Sequence, residues 1–394
     1  VANFPYPLSS ISPVPAFSPD AVRASDLPDL ERRLLASERA AAAAFPSADE
    51  EVWRYSRIGE LDLEAFVPGR AHTVVDAPPG VQVAHGAPLG ERFDDEPAVD
   101  LFHELNRAFM DAVVVSVPRG RVVEEPVVVT HRLDTAGVAA FPRLVIDAGE
   151  DSELTVVEQF VSPDGVVALV VPRLEVDAAP AARLKYLGVN LLGSATWSLA
   201  HQRAIGARDS TTLLATVALG GDYARVRTEA RVTGQGASTR QIALYYADDT
   251  QMHDFRTLQD HVAPRTYSDL LFKGAVQDHA KSVYTGLIKI RHDARGSQAF
   301  QTNRNLTLSS GAWAESVPNL DIETNDVKCS HASTVGPIDE EQRFYLESRG
   351  IPPDIAERLV VLGFFDEVLE QLPVGPLAAR LREQVGVKLQ RRSS

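Results

Sequence analysis

The stretch "ARVRTEARVTGQGASTRQIALYYAD", Ala224–Asp248, decides the fold. Over Arg225–Val232 charged residues alternate with uncharged ones, the period of a strand with two unlike faces. A glycine-bearing break follows, and Ser238–Asp248 is a second β-rich run. The same texture extends in both directions. Upstream lie "VVVSVPRG", "EPVVVTHRL", "RLVIDAG", "SELTVVEQFV", "VALVVPRLEVD" and "RLKYLGVNLLG"; downstream lie "SDLLFKGAVQ", "SVYTGLIKIRHDA" and "QAFQTNRNLTLSS". These runs recur every 10–15 residues or so, with hardly any helical period between them, so residues 112–335 are expected to be all β. A sandwich, a barrel and a parallel β-helix compete. The breaks are often one glycine, and rung-like spacing over roughly 220 residues favours the solenoid.

Outward from this core the period changes to that of helices. Residues 1–111 read as a mostly helical region with a proline-rich start, expected to be extended up to about Asp20. One helix is expected from about Leu27–Pro28, with Leu30, Leu34, Leu35, Ala42 and Phe45 on its apolar side, and "PAVDLFHELNRAFMDA" gives another with Leu101, Leu105 and Phe109 on one face. Trp53, Tyr55 and Ile58 are expected to pack on the first of these helices, and Ala77–Pro97 to form a loop. In residues 336–394, Asp339 and Gln342 have capping-box spacing, Gly350 can end that helix, and Pro352–Pro353–Asp354 starts the next. Leu359, Leu362, Phe365, Val368 and Leu369 form its stripe, and a last helix spans Gly375–Leu389.

Composition limits the function. The net charge of −15 argues against a nucleic-acid grip or an anionic membrane surface. A single cysteine in 394 residues forms no internal disulfide and points to a reducing compartment. No segment has the length of apolar sequence that a membrane span needs. The first twenty residues carry five prolines and no basic run, so a secretory signal is not expected and a cytoplasmic protein is.

The cysteine, Cys329, stands two positions before His331. On a strand both would face one way, together with Val327. Imidazole and thiolate suit iron, zinc or a sulfur-rich cluster, yet two ligands fall short of a complete site, and no CxxC or HExxH supplies more. An inert buried pair is the plainer reading. A Cys-His nucleophile fits poorly, because an activated cysteine sits at a helix start or beside a base reached through the fold. His253, His261, His279 and His292 are expected at the surface or in turns. No P-loop occurs, and "GQGAST" at Gly234–Thr239 lacks the third glycine of a dinucleotide site.

The motif "DVKCSHASTVGPIDEEQRFYLESRGI", Asp326–Ile351, with "FQTNRNLTLSSGAWAESVPNLDIETND" before it, "WRYS" at Trp53–Ser56 and "VVVSVPRGRVVEEPVVV" at Val113–Val129, resembles the SufB/SufD family of iron–sulfur cluster assembly proteins over nearly the whole chain. The "KCSHAST" form and the lack of further cysteines resemble the SufD branch. Ala332 and Ser333 stand where glycine and alanine are commoner.

The resemblance implies a mainly β protein, a right-handed parallel β-helix flanked by N-terminal and C-terminal helical regions. It implies a non-enzymatic scaffold that pairs with SufB through the β-helices and binds the ATPase SufC through the helices after Asp339, with Phe344, Tyr345, Leu359, Leu362 and Phe365 as docking side chains. His331 would meet iron or a transient iron–sulfur cluster completed by SufB ligands, with Cys329 as its companion. No nucleotide would bind this chain, and an isolated chain could pair with itself. The rival readings are a homo-oligomeric β-helix metalloenzyme with its own Cys/His site, a SufB-like cluster-carrying paralogue, and a purely structural member.

Overall fold

The computed structural model describes residues 16–390 other than Asp26, Asp95 and Glu96. The expectation of an extended start falls largely on residues 1–15, outside the described residues. Where description begins, a short helix α1 (Pro19–Arg23) forms, with Ser18 Oγ accepting from the Ala21 amide and Pro19 in the first turn.

Two further helices precede the solenoid, α2 (Leu30–Ala42) and α3 (Leu101–Phe109). The buried side of α2 is Arg33, Ala36, Ser37 and Ala40, whereas Leu30 and Leu35 are exposed, which corrects the leucine stripe expected from sequence. Small side chains let α2 approach α3 closely, and Arg33 closes the contact by donating to the Pro28 and Ala108 carbonyls at 2.7 and 3.3 Å. All nine residues of α3 are buried, because it lies between α2 and the solenoid, and Asp100 caps its start. This region also contains three strands that sequence did not suggest, Val67–Gly69, His72–Asp76 and Gln82–His85. The last of them lies inside the expected Ala77–Pro97 loop.

The solenoid has eight coils, each giving one strand to each of two parallel sheets. The first sheet runs from Asp111–Val117 to Trp313–Ile322 and the second from Val127–Arg132 to Val327–Gly336. Coils stack in register, so inward side chains form columns; Leu214, Gln241, Leu270, Gln301 and His331 are one such column in the second sheet. Single left-handed residues turn the chain at corners, as at Asp249 (φ 56°) and Asp278 (φ 57°), where the short polar side chain tolerates that backbone. The interior is packed rather than hollow. A Cβ on Gly274 would lie 1.9 Å from the Tyr245 ring, so glycine there makes room for a fully buried tyrosine.

The outer face of the first sheet holds the N-terminal region. Asp254 accepts from Arg225 at 2.6 Å, Arg256 at 2.7 Å and the Tyr223 hydroxyl at 2.8 Å. The two arginines then donate onward to the Val52 and Arg54 carbonyls, and Arg225 lies 4.0 Å over the Trp53 ring. This explains the "WRYS" motif. Trp53 and Ile58 are buried, Trp53 against Phe102 of α3, but Tyr55 is exposed and packs edge-on against Trp313 of the last coil instead of a helix.

The outer face of the second sheet holds the C-terminal helices α4 (Glu340–Ser348), α5 (Pro353–Leu369) and α6 (Gly375–Gln390). Val361, Leu362, Phe365, Val368 and Leu369 of α5 join Leu381, Val385 and Leu389 of α6 in one core with Val217, Leu244 and Tyr246. Two buried lysines fasten this layer. Lys273 donates to the Phe364 carbonyl at 2.8 Å, and Lys388 donates to the Leu219 and Tyr246 carbonyls while pairing with Asp248 at 2.8 Å. In contrast, α4 has no buried residue and packs mainly along α5.

Candidate functional site

The two ends of the solenoid differ. At the N-terminal end His72–Asp76 and Gln82–His85 add to the sheets as antiparallel strands and cover the first coil. At the C-terminal end Trp313–Ile322 and Val327–Gly336 each pair on one side only among the described residues, so both sheets finish in a free edge there. Pro318 stands in the former, a residue tolerated in strands mainly at edges. Leu320, Ile322 and Val335 are exposed apolar side chains around this open end.

Val327–Gly336 carries both sequence-predicted ligands. Val327, Cys329, His331, Ser333 and Val335 continue the inward columns of Ser297, Ala299, Gln301, Asn303 and Asn305. The expected common face of Cys329 and His331 is therefore found, but their surroundings differ. Cys329 is half-buried on Ile288, Ile290, Ala294 and Ala299, and burial pushes its thiol pKa up. A thiol so held is the reverse of an activated nucleophile, and it must lose its proton before binding a metal. His331 is exposed, with no coil above it among the described residues. Among the described residues no three His, Cys, Asp or Glu side chains gather as a metal site.

The other histidines divide. His279 and His292 are exposed in turns as expected. His253 and His261 are fully buried in Met252–His261, which corrects their surface assignment. His253 Nε2 lies 3.2 Å from the Gly220 carbonyl, and His261 lies 2.7 Å from both Thr266 and Ser268 hydroxyls. Burial lowers their pKa values to about 3 and about 4, so both are neutral core residues. Alternating polar positions inside this solenoid resemble surface positions in sequence, and that is why the assignment failed.

Of the five side chains expected to dock a partner, Phe344, Tyr345 and Leu359 are exposed, and an open groove runs between α4 and α5 beside Leu346, Val360, Gly363 and Phe364. Leu362 and Phe365 are covered by the chain's own core and leave the docking set. Apolar residues on α5 face the solenoid first, and only what lies outside that contact is free. Sequence reasoning passed over Gln301, which lies under His331 with a buried amide; its place in "FQTNRNL", thirty residues before the histidine, was the signal.

No helix among the described residues is long and apolar enough to cross a membrane. Residues 131–364 match the family model of the SUF system FeS cluster assembly, SufBD core domain. An iron–sulfur cluster assembly SufBD family protein of Mycobacterium tuberculosis is 36% identical over 376 residues, 91% of this chain and 92% of that protein. SufD of Escherichia coli is 30% identical over 302 residues, covering 75% of this chain and 71% of its own length. SufD of Bacillus subtilis is 31% identical over 264 residues, 66% of this chain and 60% of its own length. With its two-sheet solenoid and "KCSHAST" strand, the chain belongs to the SufB/SufD family of the SUF iron–sulfur cluster assembly system and is SufD-like within it.

Proposed function

We propose that this chain is a non-catalytic scaffold subunit of the SUF system in the cytoplasm, pairing with SufB and carrying the ATPase SufC. The observation that carries the reading is the asymmetry of the solenoid, capped at its start and open at the strand that presents His331. Free strand edges attract another strand, and an exposed imidazole at such an edge becomes a ligand when a second subunit brings the rest. Iron or a nascent cluster is the cargo, not a resident group. Neutral imidazole suits iron, whereas the half-buried Cys329 thiol must first be deprotonated. The missing P-loop is accounted for if SufC hydrolyses the ATP, and the exposed Phe344, Tyr345 and Leu359 supply a surface for it.

The test is His331→Ala co-expressed with SufB and SufC. Maturation of iron–sulfur enzymes should fall to background while the subunits still co-purify. Normal maturation by this variant sinks the ligand role. Separately, removing residues from 338 onward should abolish co-purification with the ATPase; retained binding sinks the docking role.

A further inference from the structure

The open end has a second polar group whose bonding is incomplete. Gln301 is 1% exposed, and neither its Oε1 nor its Nε2 has a hydrogen-bond partner. An unpaired buried amide is costly, so a side chain of this kind implies a partner. Its column restricts the choice. Below it lies Leu270, which is apolar and fully buried, and above it lies His331. Along its own strand the inward neighbours are Ala299 and Asn303, and Asn303 is already bonded to Tyr245 and Asn305. Across the core lies Gly286, where a Cβ would come within 2.6 and 2.7 Å of the Gln301 amide atoms. Glycine at 286 thus leaves room for the amide and gives it no side-chain partner. Nearby, the Tyr284 hydroxyl is paired with Thr257 at 3.0 Å.

We propose that Gln301 is a positioning residue for His331, its carboxamide oxygen accepting the imidazole N–H that faces into the solenoid. Strands in a sheet are about 4.8 Å apart, so an amide one strand below reaches the ring by side-chain rotation or through one water. Holding one ring nitrogen as a donor leaves the other with its lone pair directed outward, the tautomer a metal ion requires. The inference takes its functional meaning from the reading of His331 as a ligand, but the bond itself is testable without it.

The full chain, labelled with 15N-histidine and free of partners and metal, should show one dominant His331 tautomer above neutral pH. Gln301→Leu should lose that bias, and Gln301→Glu, which keeps an acceptor, should retain it. His331→Ala offers a second readout that spares the core, since the Gln301 side-chain amide resonances should shift. In the assembled complex Gln301→Leu should cut iron–sulfur maturation by about 10-fold or more, within the range of losses for such supporting residues. A tautomer ratio indifferent to Gln301→Leu, or Gln301 amide resonances unmoved by His331→Ala, overturns the proposal. Coupling observed alongside normal maturation in His331→Ala removes the ligand reading and leaves the bond standing. Lost maturation in His331→Ala with no coupling does the opposite.

Discussion

Cys329 and His331 leave the last strand of the second sheet on one face, yet the thiol rests on Ile288, Ile290 and Ala299 while the imidazole stands free at the open end. Two residues two positions apart are thus divided into a packing residue and a presenting residue. The two stand over unlike neighbours in the coil below, Cys329 over Ala299 of an apolar cluster and His331 over the amide of Gln301.

This separation makes unlike mutants. Cys329→Ala removes a sulfur from a small apolar cluster and should cost about 0.5–1.5 kcal/mol without abolishing cluster maturation. His331→Ala at an exposed position should change stability by less than about 0.5 kcal/mol and abolish maturation. Calorimetry and an iron–sulfur enzyme assay on the same preparations separate the two. Loss of maturation in Cys329→Ala would restore the thiol as a ligand.

The C-terminal helices should show a similar contrast. Phe365→Ala opens a cavity under α5 and should cost about 3–5 kcal/mol. Phe344→Ala and Tyr345→Ala should leave unfolding almost unchanged while weakening co-purification with the ATPase. A large loss of stability in the α4 variants would mean that α4 is part of the core.

Lys388 ties α6 to the solenoid through two carbonyls, Gln251 and Asp248. Lys388→Met keeps the apolar stem but strands these acceptors, so a loss of about 2–4 kcal/mol is expected. Limited proteolysis should then cut near α6 before it cuts the β region. Wild-type resistance in the variant contradicts the anchoring role.

Acid should loosen the core through His253 and His261. Their folded pKa values, about 3 and about 4, lie below the ordinary histidine value of 6.5, so the unfolded chain takes up protons first. Their stabilising effect is complete above about pH 6.5 and is lost as pH falls toward about 4 and then about 3, each contributing up to about 1.4 kcal/mol per pH unit. His261→Gln should flatten the fall in melting temperature between pH 6.5 and 4.5. An unchanged slope would place the acid sensitivity elsewhere.

Local patterns were legible in the sequence because their causes are local. Asp339 caps α4 by accepting from the Glu341 and Gln342 amides at 2.9 and 3.3 Å, Gly350 ends the turn with φ 86°, and Pro353 opens α5. Each depends on the chemistry of a few neighbouring residues. The alternation in Arg225–Val232 likewise implied a strand with two unlike faces, and its repetition implied the stack. That Cys329 and His331 share a face followed from strand periodicity alone.

What the tertiary structure decided is which surfaces become covered. Leu362, Phe365, His253 and His261 are core residues, whereas Leu30, Leu35 and Tyr55 are exposed, and no local pattern distinguishes these groups. The capped and open ends depend on His72–Asp76 and Gln82–His85 reaching across sequence to the first coil, with no counterpart over the last among the described residues. Sequence by itself determined the coil strands, the caps of the C-terminal helices and the shared face of Cys329 and His331, since periodicity and capping act over a few residues. Burial, and with it the placing of Gln301 beneath His331 at the open end, depended on contacts between distant segments.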